Sequence, residues 1–281
     1  MNKKKEALAG WLFLAPALVV FLALVIIPII MSFLLSFADW NFLSGLGGLK
    51  WCGLDNFEKL FTVDRKFIMA LTNTLLYAVI TAPVSILIAL ILAYLLNNKV
   101  YFKKFNRMCF FIPYISSMVA LTAVFRFLFR SDGPINAILM QISYNGVPKP
   151  PDGTGGAIPV HLCRVGFSLI VYMAALQNQE LLGATIDGAN GFVQFFKILF
   201  LDFTYYLLSV YCRLIAAFKI FTAINVMGMA DTAPSLVSEV YSNAFVSYDF
   251  GYASAESWVL VAIILIVTLV QFWGQKKWVH Y

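Results

Sequence analysis

Two stretches of this chain hold residue types whose spacing points to chemistry. The first runs from Leu176 to Leu201, LQNQELLGATIDGANGFVQFFKILFL, where Asp187-Gly188 stands just before Phe192, Phe195, Phe196 and Leu199. Those four apolar residues recur at helix spacing, and Asp187 is placed to cap the helix that carries them. Gly188, with no side chain, lets the backbone approach a partner closely. A short amphipathic helix beside a membrane is expected, its stripe lying on its own helix ends, on lipid, or on a partner at the cytoplasmic face; composition fits each. The second stretch sets two cations, Arg213 and Lys219, inside an apolar run. A cation in a bilayer costs about 2.5–3.5 kcal/mol on insertion scales unless it meets a cavity or partner, so both are candidates for lining a polar path. Snorkelling or pairing with another helix is the competing reading. Tyr172, Phe218 and Asn225 could add aromatic faces and an amide to that path, against the plainer reading that single polar or aromatic residues in helices serve packing.

The elements that must position these residues are membrane-spanning helices. Of 281 residues 61% are hydrophobic and only 12% charged, and apolar runs reach spanning length repeatedly. APVSILIALILAYLL and WVLVAIILIVTLVQFW are continuous rather than alternating, which excludes a porin-like barrel and requires backbone groups to be satisfied within helices. The net charge of +6 is assigned to basic cytoplasmic loops, since no basic stripe with interleaved aromatics suggests nucleic acid.

An all-α polytopic protein with six spans is expected, at about 11–37, 70–96, 109–129, 159–176, 203–227 and 255–273. Lys3, Lys4 and Lys5 precede the first span, which is too long for a signal-peptide core, contains Pro16 and Pro28, and is read as a retained helix. Lys99, Lys103, Lys104 and Arg107 share one short loop with no acidic residue and orient it to the cytoplasm. Ala38 to Met69 is expected outside, with Trp40 and Trp51 at the interface, and so is the loop bearing Asp231, Glu239 and Asp249. The fourth span is the weakest, because His161 and Arg164 sit at its start, yet the count closes only if it crosses. The sixth ends at Lys276 and Lys277, so both termini of this multi-pass cell-membrane protein are expected in the cytoplasm. Arg126 and Arg130 are read as snorkelling at the outer end of the third span, and Glu256 as an interfacial residue.

Other chemistry is excluded by what the sequence lacks. There is no glycine-rich phosphate loop, so the chain should not hydrolyse nucleotide by itself. His161 and His280 are far apart without ligands at metal spacing, and Cys52, Cys109, Cys163 and Cys212 form no close pair. No Ser/His/Asp set falls at one depth; neither enzyme, cofactor nor metal is expected.

The first stretch also carries a resemblance. ATIDGAN followed by Phe195, Lys197 and Ile198 resembles the EAA loop of permease subunits of binding-protein-dependent ABC importers. GLDNFEKLF, LTNTLLYAV, FFIPYISSMVA, DGPIN and FGYASAES, in that order, are similar to the carbohydrate branch, nearest the maltose-type and glycerol-phosphate-type permeases. The resemblance implies a type I importer permease fold and a cytoplasmic coupling helix. It also implies a second homologous permease, two cytoplasmic ATPase subunits, an extracytoplasmic solute-binding protein and a sugar-like substrate. On it, the coupling residues are Glu180, Ala184, Asp187, Gly188, Ala189, Phe192, Phe195 and Lys197. Leu182-Gly183-Ala184 stands where Glu-Ala-Ala is usual, and Leu201 where a closing proline is; Glu180, one turn earlier, is the carboxylate available to replace the missing glutamate. Arg213 and Lys219 leave room for an anionic substrate such as a glycerol phosphodiester. The altered loop keeps two alternatives open, a scaffold subunit whose ATPase docking has decayed and a stand-alone channel or secondary transporter.

Overall fold

The computed structural model describes residues 3–97, 102–128, 164–177 and 203–278, with isolated positions between them that include Gly188 and Val193. Helix α1 (Lys3–Phe21) passes through a π-helical turn at Leu22–Ile26 into α2 (Ile27–Leu35). The widened turn, closed by the Ile27 N–H on the Leu22 carbonyl, lies directly ahead of Pro28. That proline has no N–H for the preceding turn, and its ring crowds the carbonyl four residues back, so the helix yields there by widening rather than breaking. A hairpin of two-residue strands, β1 (Ala38–Asp39) and β2 (Lys50–Trp51), pairs antiparallel with Ala38 opposite Trp51. Helix α3 (Asp55–Thr62) follows, then the long α4 (Arg65–Asn97), α5 (Lys103–Ile115), α6 (Met118–Leu128), α7 (Gly166–Gln177), α8 (Phe203–Phe218), α9 (Thr222–Met227), α10 (Leu236–Phe245) and α11 (Phe250–Trp278).

Three helices among the described residues are long and apolar enough to cross a membrane, Ala9–Leu35, Arg65–Asn97 and Phe250–Gly274. Two of them start about five residues before the expected span, for a local reason. The Asp64 Oδ1 accepts from the N–H groups of Lys66 (2.9 Å) and Phe67 (3.0 Å), and Asp249 Oδ1 accepts from the Tyr252 N–H (3.1 Å), so each aspartate caps the first turn of its helix.

Where a third span is expected at 109–129 the structure has not one helix but a pair, Lys104–Ile115 and Met118–Leu128, bent by 99°. Pro113 removes one hydrogen bond of the last turn of α5, and Ser116 turns extended and spends both its N–H (3.0 Å) and its hydroxyl (2.8 Å) on the Ile112 carbonyl. At the expected fourth span the described helix is Gly166–Gln177. Nor is there one continuous helix over the expected fifth span, 203–227: α8 stops at Phe218 and α9 resumes at Thr222, with the Ile220 carbonyl turned to the Ser235 hydroxyl (2.7 Å).

The chain packs as two compact units, Met1–Phe67 with Glu239–Val261, and Ile68–Ser238 with Ala262–Tyr281. In the first, Asn56 is buried and its amide donates to the carbonyls of Ser36 (3.1 Å) and Ala38 (3.0 Å), fixing α3 under the hairpin. Gly251 meets the same strand from α11, donating its N–H to the Trp40 carbonyl (3.1 Å). A Cβ there would overlap the Ala38 carbonyl oxygen and lie 2.9 Å from the Trp40 nitrogen, so only glycine fits. Glu256, expected at the interface, is instead fully buried, because α11 runs on past it inside this unit and Asn243 donates to its Oε1 (3.0 Å). In the second unit the core joins Ala89, Leu90, Ala93 and Leu96 of α4 to Leu169, Tyr172, Met173 and Leu176 of α7. A smaller cluster around Ile224 and Met227 of α9 packs against Leu121 and Phe125 of α6.

Candidate functional site

The bend between α5 and α6 shapes a cavity in the second unit. It turns the carbonyls at the end of α5 outward, and Arg164, just ahead of α7, reaches them: Nη2 donates to the Tyr114 carbonyl (3.1 Å) and Nη1 more weakly to that of Ser116 (3.5 Å). A cation at a helix C-terminus is where the helix dipole favours it. The same guanidinium lies 5.6 Å from the centre of the Tyr114 ring. The close approach depends on Gly166, where a Cβ would stand 2.9 Å from the Phe110 carbonyl oxygen and 3.0 Å from Tyr114 Cβ.

Arg213 of α8 closes the next side. Its Nε donates to Ser168 Oγ (2.8 Å) and its Nη2 to the Arg164 carbonyl (2.6 Å), while Ser209 donates to the same Ser168 hydroxyl (2.7 Å). Helices α7 and α8 are thereby joined through polar groups. Lys219 follows in the turn after α8 and is exposed. Together with Tyr114, Phe167, Cys212, Phe221 and Thr222, the three cations line a cavity of about 450 Å³, with no acidic side chain among the described residues that line it.

Of the residues expected on a substrate path, Arg213 and Lys219 share this cavity. Tyr172 and Phe218 are buried in the packing nearby, and Asn225 is exposed on α9; none of these three lines it. Arg164 is the member that sequence reasoning did not select, although a charged residue at the mouth of the least apolar span was its signal. Arg126 does more than snorkel, donating from Nη1 to the Val226 carbonyl (2.8 Å) in the last turn of α9. Arg130 pairs with Asp132 (2.8 Å) at the surface, where such pairs contribute little.

Of the expected coupling residues, Gly188 is described: it is exposed and holds φ +83°, a conformation that favours glycine. Glu180, Ala184, Asp187, Ala189, Phe192, Phe195 and Lys197 lie outside the described residues.

No protein-family model matches the chain. Individual proteins do. The probable ABC transporter permease protein YesP of Bacillus subtilis (strain 168) is 32% identical over 99% of this chain and 94% of its own length. The lactose transport system permease protein LacF of Rhizobium radiobacter is 30% identical over 95% of this chain and 94% of its own. The sn-glycerol-3-phosphate transport system permease protein UgpA of Agrobacterium fabrum is 30% identical over 82% of each. In fold, the chain matches the bacterial alginate ABC transporter solved in complex with an alginate pentasaccharide-bound periplasmic protein, with TM-score 0.77 and 22% identity, over 97% of this chain and 96% of that one. Relatives at this level of identity along almost the whole length establish that the chain belongs to the permease proteins of ABC transporters.

Proposed function

We propose that this chain is one permease half of an importer for a saccharide or related solute, pairing with a second permease, two cytoplasmic ATPase subunits and an extracytoplasmic binding protein. The observation that carries the reading is likeness along most of the chain to permeases named for lactose and sn-glycerol-3-phosphate transport. The cavity beside Arg213 suits it, being framed by the broken helix pair rather than by a continuous span. In this reading six segments cross the membrane. The first, second and sixth are single helices, the third is the bent pair α5 and α6, and the fourth and fifth are built on α7 and on α8 with α9. Both termini and the Leu176 to Leu201 loop face the cytoplasm.

The loop is the coupling element. Asp187 caps a short helix, and the stripe of Phe192, Phe195 and Phe196 docks on an ATPase, whose closure moves the permease between two access states; coupling requires such a two-state element, biased by both ligand and nucleotide. The left-handed backbone at Gly188 supports a turn made for close approach.

The test is a mild-detergent pull-down of the tagged chain from its membrane, with wild type beside Gly188→Arg. ATPase and a second permease are expected with wild type, and the ATPase is lost with the variant, whose side chain meets a strained φ and blocks the approach. Absence of any ATPase from the wild-type preparation, under conditions that preserve a known importer, would overturn coupled transport.

A further inference from the structure

We propose that the solute passing this cavity is acidic, a saccharide bearing a carboxylate or a phosphate whose oxyanion binds between Arg164, Arg213 and Lys219. The proposal rests on the importer reading and names the substrate class for it.

The argument is one of charge and of donors. Three cations face one cavity, and among the described residues no carboxylate lines it. Among the described residues the two arginines are held by neutral acceptors: Arg213 by the Ser168 hydroxyl and the Arg164 carbonyl, Arg164 by the Tyr114 and Ser116 carbonyls and the Met118 sulfur. Among the described residues none of the three makes an ion pair. A buried cation without a counter-charge is expensive, and an acidic ligand supplies the charge the protein withholds.

A neutral sugar fits the same walls poorly. Each sugar hydroxyl is both donor and acceptor and needs an acceptor for its proton. Among the described side chains here the charged groups are all donors, and the Tyr114 and Thr222 hydroxyls are the oxygen acceptors beside the weaker sulfurs of Met118 and Cys212. Guanidinium forks match carboxylate and phosphate oxygens in pairs, and Phe167 and Phe221 are part of the apolar wall beside them. The volume of about 450 Å³ lies within the range of small-molecule sites.

Cys212 lines the cavity and reports on it directly. The experiment uses the full chain, purified from its membrane with the subunits it retains. Cys212 is labelled with an anionic sulfonatoethyl or a cationic trimethylammonioethyl methanethiosulfonate and followed by peptide mass spectrometry. The anionic-to-cationic rate ratio, normalised to 2-mercaptoethanol, is expected at about tenfold, the scale of local enrichment in a cleft of one sign. Lys219→Gln, a surface change that leaves the buried network intact, should reduce it severalfold. Digalacturonate or glucose 1-phosphate should slow labelling, and maltose should not.

A ratio of one or below, or failure of both reagents to reach Cys212, overturns the proposal. So does protection by maltose alone or by none of the three saccharides. ATPase recovery in the same preparation is scored separately, so a failed importer reading is distinguishable from a wrong substrate class.

Discussion

Replacing Asn56 tests whether one amide holds the hairpin to α3. Its Nδ2 donates to two backbone carbonyls, those of Ser36 and Ala38, at 3.1 and 3.0 Å, in a site from which water is excluded. Asn56→Ala removes both bonds and leaves two carbonyls short of a partner. At about 1–2 kcal/mol for each, the lower part of the range for an unsatisfied buried group, the loss is about 2–4 kcal/mol. For a chain of this size about 2–4 °C of melting temperature accompanies each kcal/mol, so a fall of about 4–16 °C is expected. Asn56→Asp is nearly isosteric yet should be worse than alanine, because carboxylate oxygens would face the two carbonyl oxygens they cannot donate to. The assay is thermal unfolding in detergent, followed by size-exclusion chromatography of the surviving monodisperse protein. If aspartate is tolerated as well as asparagine, or alanine costs more than aspartate, the site depends on shape rather than on donated hydrogen bonds and the reasoning is refuted.

Further predictions concern other contacts. Gly251→Ala places a methyl against the Ala38 carbonyl and should lower the melting temperature by at least as much as Asn56→Ala, whereas Ala253→Gly in the same helix should cost only about 1 kcal/mol; equal behaviour of the two would show that the hairpin can move aside. Arg126→Met removes the cation from the last turn of α9 and should cost about 1 kcal/mol, with Arg126→Lys retaining part of it through charge alone, and an unchanged melting curve for Met would refute the contact. Burial pushes the Cys52 thiol above its ordinary pKa, opposed by a backbone hydrogen bond at Asn56 and reinforced by Asp55 and Asp39. A raised pKa means less thiolate at any given pH, so alkylation by iodoacetamide should trail free cysteine near pH 8 and keep rising after free cysteine has levelled off; a plateau at lower pH than free cysteine would contradict it.

Spans were legible in the sequence where one physical term dominates. Continuous apolar runs marked Ala9–Leu35, Arg65–Asn97 and Phe250–Gly274, because no other structure satisfies their backbone in lipid. The starts of the second and third were placed about five residues late because Asp64 and Asp249 look like loop residues until their oxygens are seen accepting from the first turns. The bend after Ile115 was written in Pro113 and Ser116, but a proline inside an apolar run also fits an unbroken helix, and only tertiary contacts decide. Glu256 was misplaced for a related reason: a carboxylate near a span's end reads as interfacial, while its burial depends on Asn243, distant enough in sequence to sit on another helix. Arg213 and Lys219 stood out as cations in apolar surroundings. Arg164 did not, since its role is set by the carbonyls of α5, which no side-chain pattern reveals.

The anchoring of Arg213 has a consequence for rates. Its guanidinium is held on two sides by Ser168 and the Arg164 carbonyl, so the rotamer freedom of a long side chain, up to about 2 kcal/mol, is already spent in folding. An anion arriving beside it would meet a charge that need not be ordered first, and on leaving it would free no side chain to collapse into the gap. Such a group can select by charge while holding its ligand only briefly, which suits a passage more than a store.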